Sequence, residues 1–107
     1  MIHKAKKLDA RYNGSGFFKY MVDVEKSIIP SHAQSGASYI QTKVWRGLAY
    51  IELRFWAWET WGESCELNLY RFLDRDYPWS WDSEQGRMRF YLKGDKELSW
   101  FLLKWNK

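Results

Sequence analysis

Cysteine is nearly absent from this chain. Cys65 stands alone, so no internal disulfide can form. That fits a reducing compartment, and a cytoplasmic location is expected. Proline occurs twice and glycine seven times in 107 residues, so neither is enriched, and with no low-complexity tract the chain does not read as disordered. No apolar run approaches the roughly 18 residues that a membrane span requires. The basic start, MIHKAKKLDARY, is not followed by an apolar stretch, so neither a signal peptide nor a membrane segment is expected.

Motifs that carry chemistry are missing too. There is no P-loop, no dinucleotide fingerprint and no G-x-S-x-G. His3 and His32 lack a spaced His or Cys partner, so no zinc site is expected. Cys65 shares its strand parity with Leu67 and Leu69 and reads as a buried thiol. Asp74, Asp76, Asp82 and Glu84 form one acidic cluster, but their spacing matches no EF-hand loop. They read as a solvated connector able to dock a basic partner surface. No enzyme activity, metal or cofactor is expected.

What the chain has in excess is aromatic surface. It carries 8 Trp, 7 Tyr and 6 Phe, 20% of all residues, and 28% of residues are charged. That composition belongs to a folded chain, and the length suits a single domain spanning 1–107. The net charge is +4 with basic ends, including a basic N-terminal segment at 1–16, and an acidic stretch over 58–86. A mixed surface of this kind favours a protein partner over a uniformly basic nucleic-acid face.

The dominant hydrophobic period is two. Around QTKVWRGLAYIEL, a turn at Arg46-Gly47 pairs Trp45 with Leu48, Val44 with Ala49, Thr42 with Ile51 and Ile40 with Leu53. A loop at Trp61-Gly62-Glu63 adds a third strand, making a three-stranded unit over 38–73. In the second unit, 77–104, a loop from Ser83 to Gly86 pairs Trp81 with Met88, Trp79 with Phe90 and Tyr77 with Leu92. A further strand there pairs Phe90 with Trp100 and Met88 with Leu102. Leu98, Phe101, Leu102 and Trp105 also match helical spacing with Asp95 at the start, but strand is preferred because it continues the register. FFKYMVDVEKS alternates well, and no heptad series is seen. The expected fold is all-β, an antiparallel meander of about six to seven strands closing into a small sandwich or barrel, with a short helix as the C-terminal alternative.

On the first unit this register puts Lys43, Trp45, Tyr50, Arg54, Trp56, Trp58 and Tyr70 on the face opposite the core. Trp, Tyr and Arg are the residue types that carry interface energy. The expected function is therefore a non-enzymatic protein-binding domain, a small inhibitor or adaptor of the kind that phages and mobile elements encode. It would occlude a larger macromolecular complex through that aromatic sheet face. Asp74, Asp76, Asp82 and Glu84 would supply a secondary acidic contact. The alternative is a β domain gripping single-stranded nucleic acid by stacking on the same rings. Two further readings are that the face is a second core layer, or that it pairs two copies of the chain as a homodimer.

Overall fold

The computed structural model describes residues 3–9, 17–27, 39–67 and 77–105. Among these residues there are four strands: β1 (Ala5–Lys7), β2 (Tyr20–Asp23), β3 (Trp79–Asp82) and β4 (Arg89–Leu92). They form one antiparallel sheet in the order β1-β2-β4-β3. Two helices accompany it, α1 (Tyr39–Trp61) and α2 (Asp95–Trp105), with single 3-10 turns at Val24–Lys26 and Glu84–Gly86. The protein is α+β, which corrects the expectation of an all-β meander with six to seven strands.

The largest correction is over 39–61, where the first expected hairpin is replaced by one helix of 23 residues, Tyr39–Trp61; residues 68–73 of the expected third strand lie outside the described residues. Apolar residues lie on two opposite sides of this segment, and a helix wrapped in apolar residues on both sides also satisfies an alternating pattern. Its inner stripe is helical: Tyr50, Leu53 and Ala57 are buried, flanked by half-buried Arg46, Ala49, Trp56 and Trp61. The segment contains no proline and holds good helix formers such as Leu48, Ala49, Glu52, Leu53 and Ala57. Gly47, read as a turn residue, sits inside the helix. The turn at Gly62 is real but serves as the helix stop. Gly62 takes φ 90°, and its N–H donates to the Trp58 carbonyl at 2.8 Å.

In the second unit, β3 and β4 do pair, with the register displaced by two residues. Trp81 faces Phe90, and Trp79 faces Leu92. The loop is longer than expected because a 3-10 turn is inserted, with Gln85 at φ 56° and Gly86 at φ 80°. Asp82 holds that loop by accepting from the Glu84 N–H at 3.0 Å and pairing with Arg87 at 3.3 Å. A two-residue displacement leaves every side chain on its own face, so Trp79, Trp81, Phe90 and Leu92 still share one side. Tyr77 does not join them; it packs in the cluster containing Phe18, Met21, Cys65 and Tyr91.

The expected last strand is α2. Helical spacing carries Phe101 into full burial and half-buries Leu98 and Trp105, while Trp100 and Leu102, which the strand register placed on the core face, are exposed. β2 pairs with β4, Tyr20 to Leu92 and Val22 to Phe90, and of the residues whose alternation suggests one face, Phe18, Tyr20, Val22 and Val24, the last three share the main core while Phe18 packs with Met21 on the other side.

The main core forms where α1 and α2 cover one sheet face. Leu53 and Ala57 of α1 and Phe101 of α2 meet Val22, Trp79, Phe90 and Leu92, all fully buried. Each large side chain buried in this way contributes about 1.5–3 kcal/mol. Beyond Gly62 the chain runs along the outer edge of β3. Trp79 Nε1 donates to the Gly62 carbonyl at 3.0 Å, Ser80 Oγ donates to the Cys65 carbonyl at 2.6 Å, and the Leu67 N–H donates to the Trp81 carbonyl at 2.8 Å. These bonds cap an otherwise open sheet edge and fix the C-terminal end of α1 against β3. No helix among the described residues is long and apolar enough to cross a membrane.

Candidate functional site: the outer face of the long helix

A helix of 23 residues is roughly 35 Å long. The inner stripe of α1 is consumed by the core. On the far side, Ile40, Val44, Leu48, Ile51, Phe55 and Trp58 are exposed, with Phe55 at 67% and Leu48 at 55%. A surface helix normally carries polar residues there. From Val44 the row advances by four, three, four and three residues, which is the a/d alternation of a heptad. The period-two reading hid this series, and it is the signal that would have found these residues. A two-residue period groups Val44, Ile51 and Phe55 with Leu53 and Ala57 on the core face instead.

Charges border the row on both sides. Glu52 and Glu59 are exposed on one edge, and half-exposed Arg54 lies on the other. Between α1 and β3 lies a groove of about 430 Å³ lined by Ile51, Arg54, Phe55, Trp58, Trp79 and Trp81. The Arg54 guanidinium stacks over Trp81, 4.5 Å from the ring centroid, and lies 5.6 Å from the centroid of Tyr50. The phenol of Tyr50 donates to the Arg89 carbonyl at 3.1 Å and lies 3.0 Å from Ser83 Oγ. Burial pushes its pKa up to about 12, so it stays neutral and structural.

The residues expected to form one aromatic sheet face are therefore divided. Arg54 and Trp58 meet in the groove, with Trp58 edge-on to Trp79 at 6.5 Å. Lys43 and Trp45 are exposed nearer the N-terminal end of α1. Lys43 borders a second hollow of about 270 Å³, also lined by Glu25, Lys26, Thr42, Arg46 and Met88. Tyr50 and Trp56 turn inward, because a step of two along a helix rotates a side chain by about 200° instead of returning it to the same face. Trp56 packs against Trp61 at 4.9 Å, Trp105 at 5.9 Å and Phe101 at 6.2 Å between centroids. Tyr70 lies outside the described residues. Of the rings expected to stack on a nucleic-acid strand, Tyr50 is buried and Trp56 half-buried.

Of the acidic cluster, Asp74 and Asp76 lie outside the described residues. Asp82 is buried and engaged by its own loop and Arg87, while Glu84 is exposed. Among the described residues no group of three or more His, Cys, Asp or Glu is gathered as a metal site. Cys65 is buried. Comparison with protein-family models, curated proteins and solved structures returned no match.

Proposed function

We propose that the chain is a non-enzymatic protein-binding domain, of inhibitor or adaptor type, that docks on another polypeptide through the outer face of α1. The observation that carries this reading is the row Val44, Leu48, Ile51, Phe55 and Trp58, exposed along one side of a helix whose other side is already packed on the sheet. Contiguous apolar surface of this kind marks interaction sites. The helix is also preformed, so docking does not bear the cost of nucleating it. The groove beside Arg54 and Trp58 adds the residue types that anchor interfaces.

A photoreactive phenylalanine placed at Leu48 or Phe55, in the cells that make the protein, tests the reading. Discrete polypeptide adducts are expected from both positions and none from Lys96, on the exposed side of α2. Adducts that form equally at Lys96, or at none of the three, would end it.

A further inference from the structure

The same face has a chemistry that selects its occupant. We propose that the occupant is a second copy of this chain, joined by a parallel pairing of α1 with α1 of the partner. This inference rests on the reading of the outer face as a docking surface and specifies what fills it.

With Val44, Ile51 and Trp58 taken as d positions and Leu48 and Phe55 as a positions, the flanking positions follow from the sequence. Glu52 and Glu59 fall at e, and Arg54 falls at g. In a parallel pair, g of one helix faces the e that lies five residues further along the other. Arg54 then meets Glu59 of the second copy, and by two-fold symmetry the contact occurs twice. In an antiparallel pair e faces e and g faces g, which would bring glutamates together and the two Arg54 side chains together. Charge complementarity therefore favours the second copy and sets its direction.

The rest of the molecule permits this pairing. The inner stripe of α1, centred on Tyr50, Leu53 and Ala57, is opposite the seam, so the main core lies on the far side of the helix from the partner, and only the β3 edge at Trp79 and Trp81 borders the seam. A seam of five a/d residues is short for a free coiled coil. Here each helix is already packed on its own sheet before it meets the other, so the ordering cost that defeats short peptides is already met within the monomer. Trp58 closes the C-terminal end of the seam and, at 48% exposure, leaves an apolar edge for the partner to cover.

The test is light scattering on the purified chain over a wide concentration range, with circular dichroism as the fold control. The wild type is expected to approach twice the 13.0 kDa chain mass as concentration rises. Phe55→Glu should be monomeric with an unchanged spectrum. Glu59→Arg sets Arg against Arg54 of the other copy and should weaken the dimer about tenfold, a loss of the size that two exposed pairs can supply. In an antiparallel pair Glu59→Arg would relieve glutamate repulsion and strengthen association, which would overturn the parallel arrangement. Leu48→Cys should oxidise to a covalent dimer, because an a residue meets its own counterpart only in the parallel register. A dimer that survives Phe55→Glu uses another surface and refutes the proposal, as does a wild type that stays monomeric throughout. In that last case a heterologous adduct at Leu48 would leave the docking reading standing, and the absence of any adduct would remove both.

Discussion

The guanidinium of Arg54 lies over the indole of Trp81 at 4.5 Å, and this contact ties the middle of α1 to the edge strand β3. Cation–π stacking at a partly covered site is worth about 1 kcal/mol. Arg54→Ala is expected to lower the unfolding midpoint by roughly 4–8 °C for a domain of this size. Arg54→Lys keeps the charge but loses the flat stacking surface, so it should recover only part of that loss. Thermal melts of the two variants check this.

Trp56 and Trp58 are two residues apart and have opposite consequences. Trp56→Ala removes a ring packed against Trp61, Phe101 and Trp105, and should cost about 3 kcal/mol in urea unfolding. Trp58→Ala takes away an exposed ring and should cost less than about 1 kcal/mol. Acrylamide quenching at a concentration where the chain is monomeric provides an independent check: it should fall further in Trp58→Phe than in Trp56→Phe.

Gly47 lies in the interior of α1, where glycine is the poorest residue after proline. A Cβ built there meets only the Met88 Cε, at 3.9 Å, an ordinary contact. Gly47→Ala should stabilise the protein by about 0.5–1 kcal/mol, mainly by narrowing the unfolded ensemble. Chemical denaturation would show a higher midpoint with an unchanged slope. A destabilised variant would mean that the helix needs the glycine for close approach.

His3 is buried, lies edge-on to Phe101 at 5.9 Å and shares a hydrogen bond of 2.5 Å with Ser27 Oγ. Burial pushes its pKa down from 6.5 to about 4. The neutral form is thus favoured by folding, and the unfolded chain binds the proton more readily. The resulting stability is fully present above pH 6.5 and is lost as pH falls towards 4. Between pH 7 and pH 5, before most carboxylates titrate, the loss should be about 2 kcal/mol. Urea unfolding at those two pH values should show it in the wild type and not in His3→Asn.

Much of the sheet was legible in the sequence. β2, β3 and β4 announce themselves by alternation, and the parity that groups Trp79, Trp81, Phe90 and Leu92 survives a two-residue error in register because strand side chains repeat every two residues. The loop between β3 and β4 is longer than the alternation implies because Gln85 adopts a left-handed conformation that its side chain does not advertise.

The sequence by itself determined the aromatic load, the charge pattern, the lone thiol and the strands of the second half. It also contained the four-three-four-three row from Val44 to Trp58, visible only once α1 is taken as a helix. Tertiary structure decided that choice. A segment with apolar residues on opposite sides satisfies both periods, and local propensity separates helix from strand by only a fraction of a kcal/mol per residue. The decision comes from the sheet beneath. Val22, Trp79, Phe90 and Leu92 offer one surface wide enough for Leu53, Ala57 and Phe101 from two helices. Once that side of α1 is buried, its other side is left facing water.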